Sequence, residues 1–333
     1  MALPSSTSSA SAGAPFERAA LVHHTGASLA SRLPAPGWRT RFAPAPTGYL
    51  HLGHVVNAVF VWGIARAFGG RVLLRLEDHD VSRCRPEYEA ALLDDLDWLG
   101  FVPDESPTRC FRVGTTPHRQ SDNARAYERA LAQLDAAGLV YPCTCSRRDI
   151  LALTGPVDPG VEPRYPGTCR RAHHAPDRTV ARRVRLDDTV VHFHDLRRGA
   201  QQQQPAAECG DVLVRDRHGQ WTYQFAVVVD DLAQGIDVII RGEDLLASTG
   251  RQLLLAASLG RTAPPRLLHH PLLTHADGRK LSKSAGDTGV RELRAAGWRA
   301  DALIGEAAYR AGLLASPRAV AAREVAALFA HTG

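Results

Sequence analysis

Strand-like and helix-like segments alternate between residues 38 and 77, and this order is the feature that most constrains the fold. Residues 38–42 read as a short strand, residues 53–68 as an apolar helix that ends at a glycine pair, and residues 71–77 as a second strand. A helix between two strands at this spacing is typical of a parallel crossover unit. The sequence therefore predicts an α/β fold with a doubly wound parallel sheet.

Further helices and strands are predicted on both sides of an irregular stretch. Residues 141–175 are rich in Cys, Pro, Gly and Arg and lack a regular apolar pattern. Helices are predicted at residues 86–99, 121–137 and 243–259 and over much of 290–329. Short strands are predicted at residues 180–184, 190–193, 211–215, 221–229 and 237–241. The layout is that of an α/β nucleotide-binding core with an insertion after its first half.

We divide the chain on this basis. Residues 1–36 are rich in Ala, Ser and Pro and are predicted to be a disordered extension, without the features of a secretory signal. The first half of the core is placed at residues 37–140 and the insertion at 141–175. Residues 176–260 are expected to form the second half, and 261–333 a lysine-containing loop and a short helical tail. Gln201 to Gln204 are interpreted as a surface-loop insertion.

Composition narrows the class of protein. The apolar content is 44% and no apolar run approaches a membrane span, so we expect a cytoplasmic protein without a membrane partner. The net charge of +5 and the pI near 9.0 permit an anionic partner without requiring one. Six cysteines in such a chain suggest free thiols and a metal site rather than disulfides.

A glycine-spaced histidine pair lies where a loop enters the first predicted helix, as His51-Leu52-Gly53-His54. Helix N-termini bind phosphate through unpaired amides and the helix dipole, and glycine allows close approach of a ligand. Two histidines one turn apart can both donate to a phosphate group. On its own the pattern is weak, and two ordinary surface or core histidines are the alternative.

Lysine is almost absent from this chain. Of the 40 Lys and Arg residues, all but Lys280 and Lys283 are arginine. Lysine is a compact charge on a flexible stem, whereas arginine is a rigid planar fork. The retained pair therefore indicates a loop that follows a phosphate through a reaction, with chance in a basic loop as the alternative.

Together these segments resemble the two ATP motifs of class I aminoacyl-tRNA synthetases, and specifically of their glutamyl branch. The resemblance covers roughly residues 38 to 290 and implies the Rossmann-type catalytic core of that class. The motifs that carry it agree in order and spacing: Arg41 to Leu50 (RFAPAPTGYL), the histidine pair, Arg75 to Asp80 (RLEDHD), Tyr223, Val227 to Asp231 (VVVDD), Ile240 to Asp244 (IRGED) and Lys280 to Ser284 (KLSKS).

The resemblance implies that ATP, carried with Mg²⁺, is a substrate. The implied ATP-binding residues are His51, Gly53, His54, Lys280 and Lys283. His51, His54 and Lys283 are implied to be catalytic, with the histidines beside the α-phosphate and ribose and Lys283 beside the β- and γ-phosphates. Stabilising charge on phosphate oxygens would supply most of the rate acceleration.

The resemblance also implies L-glutamate as substrate. The implied glutamate-binding residues are Arg41, Phe42, Ala43, Pro44, Ala45, Glu77, Tyr223 and Arg241. Arg41 and Arg241 can hold the side-chain carboxylate, because guanidinium offers bidentate charged donors. Tyr223 can add a hydroxyl, and Glu77 can take the α-ammonium. The related glutaminyl enzymes have Asp where Glu77 stands, which favours glutamate over glutamine as the substrate. The glutamyl family usually has serine where this chain has Ala45. Loss of that hydroxyl should weaken binding by about 0.5–1.5 kcal/mol.

A cysteine cluster in the insertion predicts a metal site. Zinc takes four ligands in a tetrahedron, usually thiolate or imidazole. The residues Cys143-Thr144-Cys145, Tyr165 and Cys169 resemble the zinc site of small glutamyl-branch paralogues, which implies one structural Zn²⁺ per chain. His173, His174 or water are rivals of tyrosine as fourth ligand, and scattered free thiols are the alternative to a site. The other cysteines, Cys84, Cys110 and Cys209, lack such spacing and are interpreted as packing residues.

Only about fifty residues follow the lysine segment, too few for the anticodon-binding helical domains of a glutamyl-tRNA synthetase. The chain therefore resembles the small paralogues that activate glutamate without tRNA and attach it to queuosine in the anticodon of tRNA(Asp). The implied partner is queuosine-containing tRNA(Asp), and a monomer is expected. A truncated synthetase charging tRNA(Glu) and a non-catalytic synthetase-like binding protein are the alternatives.

Overall fold

The structure is a computed structural model that describes residues 16–17, 29–158, 161–172, 180–275 and 289–330. Lys280 and Lys283 lie outside the described residues, as do His173 and His174. The strands are β1 (Phe16–Glu17), β2 (Arg39–Phe42), β3 (Arg71–Leu74), β4 (Val140–Cys143), β5 (Ala181–Val184), β6 (Val191–Asp195), β7 (Gly199–Gln203), β8 (Val212–Arg215), β9 (Val238–Gly242), β10 (Arg266–His270) and β11 (Thr274–His275).

Helices connect most of these strands. They are α1 (Leu52–Ala67), α2 (Pro86–Leu99), α3 (Thr108–Arg112), α4 (Ala124–Ala136), α5 (Arg147–Thr154), α6 (Pro205–Glu208), α7 (Tyr223–Ala233), α8 (Thr249–Ser258), α9 (Val290–Ala295), α10 (Ala300–Arg310) and α11 (Ala327–Ala330). Short 3₁₀ helices span Gln120–Asn123, Glu243–Ser248 and Ala322–Glu324. None of the helices in the described ranges is both long and apolar enough to span a bilayer.

Parallel strands form the centre of the molecule. β2 pairs in parallel with β3, β9 with β10, and β10 with β6, while β7 adds an antiparallel edge to β6. β2 and β9 are neighbours, because Asp237 N–H donates to Arg39 O at 2.9 Å and Arg39 N–H donates to the Asp237 side chain at 2.8 Å. The strand order confirms the predicted α/β fold with a parallel sheet.

The first crossover helix, α1, lies in the middle of the main core. Its residues are apolar on nearly all sides, as expected for a helix buried between a sheet and other helices. Trp62 packs on Phe42 of β2 with ring centroids 5.2 Å apart. A methyl group at Gly63 would lie 2.1 Å from the Phe329 ring, so the C-terminal helices approach α1 closely there. This packing holds α1 against the sheet, and the histidine pair lies at the N-terminus of the same helix.

The insertion is more regular than predicted. Residues 141–175 contain the end of β4 and the helix α5, so the expectation of little regular structure is wrong for that part. β4, β5 and β8 form a small antiparallel sheet. Ser146 caps α5 by accepting from Asp149 N–H, and Asp149 accepts from Ser146 N–H in return. This capping box, with serine three residues before aspartate, is the local signal that could have predicted the helix.

The glutamine tract is also not a loop insertion. Gln201 to Gln203 belong to β7, which pairs with β6. Gln203 accepts from Gly250 N–H at 2.6 Å and donates to Leu246 O at 2.8 Å. The side chain therefore joins the sheet edge to the start of α8, a tertiary role that a polar tract does not reveal in sequence.

The strand predicted at residues 221–229 is wrong, because most of this segment is helical. α7 begins at Tyr223, and Phe225 to Asp231 are all buried, with Val227 to Val229 in their midst. A short, β-branched run that is buried on all sides has no visible helical period, so sequence pattern alone cannot separate it from a core strand. The segment is helical because its side chains are buried between α4, α8 and the sheet that contains β8.

The segment before the first core strand is partly ordered. Leu29 is 4% exposed and belongs to the main hydrophobic core. β1 pairs antiparallel with β11. The disordered extension predicted for residues 1–36 is therefore wrong for residues 29–36 and for the strand at Phe16–Glu17.

Candidate active site

A cavity of about 510 Å³ opens between the C-terminal ends of β2 and β9 and the N-terminus of α1. This edge is where parallel α/β sheets bind their ligands. Every predicted glutamate residue and the predicted ATP residues of the histidine motif line the cavity: Arg41, Phe42, Ala43, Pro44, Ala45, Glu77, Tyr223, Arg241, His51, Gly53 and His54. The structure thus brings two separately predicted sets into one site.

The histidine pair forms the N-terminal cap of α1. Gly53 N–H donates to His51 Nδ1 and His51 N–H donates to His54 Nδ1, each at 3.1 Å. Because both Nδ1 atoms accept, the proton of each neutral ring is on Nε2. The two rings lie with centroids 4.0 Å apart. The pair can therefore present two N–H donors together at a helix N-terminus, which suits a phosphate group.

Gly53 makes room for this arrangement. A methyl group at position 53 would lie 2.9 Å from His51 Cε1 and 3.0 Å from its Nδ1. A side chain there would displace the His51 ring from its capping position. The glycine of the motif is therefore required by the histidine beside it, in addition to any close approach of ligand.

Both ends of the lysine-containing segment lie beside the cavity. Leu273, just before it, lines the cavity. On the other side, Val290 N–H donates to Leu50 O at 2.8 Å, one residue before His51. Residues 276–288 lie outside the described ranges, so the positions of Lys280 and Lys283 are not assigned.

Arg41 belongs to a buried charge network. Its Nε donates to Asp231 Oδ1 at 3.1 Å, and Arg75 Nη1 donates to the same oxygen at 2.7 Å. Arg75 Nη2 also donates to Glu77 Oε1 at 3.0 Å. Burial disfavours the Asp231 charge, but the two guanidinium groups outweigh it and hold the pKa of Asp231 below its ordinary value. The network fixes one oxygen of Glu77 and one edge of Arg41 at the cavity wall.

Arg241 differs, because all of its acceptors are uncharged. Nε donates to His269 Nε2 at 3.0 Å, Nη1 to Gln252 Oε1 at 2.6 Å, and Nη2 to Thr249 Oγ1 at 3.0 Å and to Leu245 O at 3.4 Å. Within the described part of the chain no carboxylate forms an ion pair with it, although it is 4% exposed. A buried guanidinium without a directly bonded carboxylate favours an anionic ligand.

Tyr223, the first residue of α7, lies near the charged groups of Glu77, Arg241 and Arg41. Burial, with Glu77 nearby, raises the pKa of Tyr223 to about 12. Its hydroxyl is therefore protonated at neutral pH and can donate a hydrogen bond. Because this segment is a helix and not the predicted strand, Tyr223 lies at the cavity and Asp231, two turns later, lies beside Arg41.

His270 forms part of the cavity floor as a neutral ring. Asn57 Nδ2 lies 2.9 Å from its Nε2, and its Nδ1 lies 3.0 Å from Pro271 O. The carbonyl requires a donor, so the proton is on Nδ1 and Nε2 accepts from Asn57. Burial lowers the pKa of His270 to about 4. Phe60 stacks on the ring with centroids 5.1 Å apart.

The predicted metal residues also come together, away from the cavity described above. The sulfur atoms of Cys143, Cys145 and Cys169 all lie within 4.8 Å of one another. Tyr165 Oη is 3.5 Å from Cys143 Sγ and accepts from Cys169 N–H at 2.8 Å. Three thiols in one small cluster, two of them buried, match the donor type that structural zinc takes, and the Tyr165 oxygen is a candidate for the fourth position.

Several residues of the site had no role assigned from sequence. Arg75 and Asp231 lie in motifs that the sequence singled out, but their pairing across the fold gave no local signal. Gln252 lies in a predicted helix, whereas Asp195 and His269 lie outside every predicted strand and helix, although the structure places them at Val191–Asp195 and Arg266–His270. Their partners are distant in the chain, so spacing could not reveal them.

Comparison with known proteins decides the family. Residues 38–316 match the family of tRNA synthetases class I (E and Q), catalytic domain. The chain belongs to this family. As a class I synthetase it is a ligase, and its cavity lies at the carboxyl edge of the parallel strands β2 and β9.

Relatives of this class I synthetase fall into two size classes. The glutamyl-Q tRNA(Asp) synthetase of Symbiobacterium thermophilum is 41% identical over 300 residues, covering 87% of this chain and 91% of that protein. Glutamate--tRNA ligase 2 of Syntrophus aciditrophicus is 40% identical over 294 residues, covering 86% of this chain but 60% of that protein.

A solved glutamate tRNA ligase structure also matches most of this chain but only part of its own length. The glutamate tRNA ligase from Elizabethkingia meningosepticum, in complex with its amino acid, superposes with a TM-score of 0.71 at 26% identity. The match covers 89% of this synthetase chain and 64% of that structure. The chain thus spans less than two thirds of the length of the glutamate ligases it matches.

Proposed function

We propose that this chain activates L-glutamate with ATP to form glutamyl-adenylate and pyrophosphate, without needing tRNA. It then transfers the glutamyl group to queuosine in the anticodon wobble position of tRNA(Asp). The acceptor is inferred from relatives named glutamyl-Q tRNA(Asp) synthetase, most of whose length this chain covers. The observation that carries the amino-acid part is the buried guanidinium of Arg241, which has only neutral hydrogen-bond acceptors and lines the same cavity as Glu77.

The cavity is matched to glutamate in its charges. Arg241, with neutral partners only, offers a positive charge for the side-chain carboxylate, and Arg41 lines the same wall. Tyr223 adds a donor hydroxyl. Glu77, with one oxygen engaged by Arg75, offers the other to the α-ammonium. Glutamine carries no side-chain charge, so it would leave Arg241 buried without a counter-ion.

The reaction would be attack of the glutamate α-carboxylate on the α-phosphorus of ATP, with pyrophosphate leaving. His51 and His54 would donate through Nε2 to oxygens whose charge grows in the transition state. Lys283 would contact the β- and γ-phosphates alongside the Mg²⁺ that they carry, with Lys280 as a secondary contributor. The queuosine hydroxyl would then attack the adenylate carbonyl, releasing AMP and forming an ester.

A structural zinc ion would be held by Cys143, Cys145, Cys169 and Tyr165. The donor set supports this, because the three sulfurs lie within 4.8 Å of one another and the Tyr165 hydroxyl lies 3.5 Å from Cys143 Sγ. The ion would join β4, where Cys143 ends the strand, to the loop that carries Cys169. It would order the insertion and take no part in glutamate activation.

The test is glutamate-dependent exchange of radiolabelled pyrophosphate into ATP, run with and without tRNA. We expect exchange with glutamate in the absence of tRNA and little with glutamine. Radiolabelled glutamate should then appear on tRNA(Asp) from queuosine-proficient cells and be absent from the same tRNA lacking queuosine. Label on the terminal adenosine of tRNA(Glu) would instead favour the function named for the longer ligase relatives, and absence of exchange would favour a non-catalytic binding protein.

A further inference from the structure

A buried pair, Asp195 and His269, lies directly behind the Arg241 guanidinium. His269 is on β10 and Asp195 is the last residue of β6, its neighbour in the sheet. His269 Nδ1 lies 2.7 Å from Asp195 Oδ2, and both side chains are 0% exposed. On the other side of the ring, Arg241 Nε donates to His269 Nε2 at 3.0 Å. The three residues form a chain from the sheet interior to the cavity wall.

One proton arrangement satisfies this chain. Arginine Nε can only donate, so His269 Nε2 must accept, and the proton of the neutral ring is then on Nδ1. That N–H donates to the Asp195 carboxylate. Burial lowers the pKa of His269, and Arg241 lowers it further against the opposing effect of Asp195. The ring is therefore neutral at pH 7.

Asp195 is itself held in place. Its Oδ1 accepts from the N–H groups of Arg197 at 2.9 Å and Arg198 at 2.7 Å. Its Oδ2 accepts from His269 N–H at 3.1 Å as well as from the ring. Burial raises the pKa of Asp195, but these hydrogen bonds outweigh it and leave the pKa below its ordinary value. The carboxylate thus has fixed donors on both oxygens.

The other acceptors of Arg241 are oriented in the same manner. Gln252 Nε2 donates to Gln224 Oε1 at 2.7 Å, which turns Gln252 Oε1 towards Arg241. Thr249 Oγ1 accepts from the second Nη. Arg241 is therefore held along several edges by neutral groups, whereas Arg41 contacts the carboxylate of Asp231 directly.

We infer that Asp195 and His269 are positioning residues for glutamate selection, an inference that rests on the proposed function. A carboxylate placed on Arg241 itself would orient the guanidinium but would compete with the substrate for its charge. The His269 imidazole is held by Asp195 and in turn orients Arg241. It also separates the Asp195 carboxylate from the Arg241 guanidinium by the width of a ring, which weakens their attraction. Arg241 is thus fixed while its charge remains directed to the glutamate side chain.

The experiment compares His269→Leu and His269→Gln with the unsubstituted protein in pyrophosphate exchange. In His269→Leu we expect the KM for glutamate to rise about 10- to 100-fold, the effect of losing a hydrogen bond to a charged group. The KM for ATP should stay within about twofold, because the histidine motif that binds it has a separate support. His269→Gln can still offer an oxygen to Arg241 and should recover part of the glutamate affinity.

Asp195→Asn tests the carboxylate separately. It leaves one acceptor oxygen for two sets of donors, so the Nδ1–H of His269 loses its fixed charged partner, and we expect a rise in glutamate KM with preserved ATP KM. His192→Leu, an exposed histidine on the same strand as Asp195, is the matched control and should change neither constant. Thermal unfolding identifies any variant that is not folded.

The outcomes separate the two claims. An unchanged glutamate KM in folded His269→Leu and Asp195→Asn would overturn the positioning role while leaving glutamate activation standing. Equal rises in both KM values, without recovery in His269→Gln, would point to general damage and also count against it. Absence of glutamate-dependent exchange in the unsubstituted protein would count against the proposed function itself.

Discussion

The Arg41 Nε donates to Asp231 Oδ1 at 3.1 Å, although the two residues are separated by 190 positions in the chain. Arg41 lies on β2 and Asp231 on α7, so the contact joins the two halves of the core across the insertion. The same oxygen accepts from Arg75. One carboxylate therefore sets the position of two arginines, one of which lines the cavity.

We predict that Asp231→Asn destabilises the fold. The amide keeps the shape but removes the negative charge, leaving two buried guanidinium groups around a neutral oxygen. Breaking a buried ion pair in this way costs about 3–5 kcal/mol. Urea unfolding at pH 7 measures the change, with Asp188→Asn, at an exposed position, as control. A variant as stable as its control would show that the network does not contribute to stability.

Gly53→Ala should lower activity with little loss of stability. Alanine is the better helix residue by about 1 kcal/mol, but its methyl group would lie 2.9 Å from His51 Cε1 and displace that ring. We expect pyrophosphate exchange to fall about tenfold or more, since one phosphate donor moves. His51→Asn, which retains an N-cap but loses the ring, should give a similar loss. Full exchange in Gly53→Ala would mean that the ring position is unimportant.

The charged and histidine residues of the motifs that line the cavity could be predicted from sequence, whereas the residues that hold them in place, and His270 in the cavity wall, could not. Arg41, the histidine pair and Glu77 lie in short motifs at strand ends or a helix start, where local spacing carries the signal. The contacts behind them link Arg75 to Asp231 and Asp195 to His269 over separations of 156 and 74 residues. No local pattern encodes such pairs.

The errors in secondary structure have a related cause. Val227 to Val229 favour a strand by propensity, yet tertiary burial on all sides places them in α7. Gln203 looks like part of a polar loop, but its amide bonds to the backbone at the start of α8. In both cases contacts between distant segments outweigh the local preference.

The stability of the protein should fall as the pH drops from about 6.5 towards 4, in part because of His270. Burial lowers the pKa of this ring from 6.5 to about 4 in the folded protein. The unfolded chain therefore binds the proton first, so the contribution is complete above pH 6.5 and is lost on acidification. A shift of this size corresponds to about 3 kcal/mol.

Urea unfolding of the parent and of His270→Gln at pH 7 and pH 5 checks this. The variant lacks the titrating ring and should lose less stability between the two pH values. His192→Gln, at an exposed position on β6, should behave like the parent. Equal losses in all three proteins would exclude His270 as a source of the acid sensitivity.

Lys283→Arg should abolish or severely depress glutamate activation while leaving the fold intact. The chain has 40 Lys and Arg residues and keeps lysine only at positions 280 and 283, so the retained ammonium indicates a shape requirement. Arginine has the same charge but a planar fork with other donor directions. Pyrophosphate exchange measures the effect, and Arg279→Lys, in the same segment, is the reciprocal control that should stay active. Exchange at the parent rate in Lys283→Arg would show that position 283 does not require the shape of lysine.

Protein purified without chelator should contain one zinc ion per chain, and Tyr165 should contribute to holding it. Tyr165 Oη lies 3.5 Å from Cys143 Sγ, and its ring is covered by the Arg183 guanidinium 3.8 Å from the centroid. Elemental analysis should find the metal in the parent and in Cys84→Ser, whose thiol lies outside the cluster, and a reduced content in Cys145→Ser. Tyr165→Phe keeps the ring and removes only the oxygen, so it should lose zinc to a competing chelator faster than the parent. Equal retention in Tyr165→Phe would assign the fourth position to another donor, and absence of zinc from the parent would remove the metal site altogether.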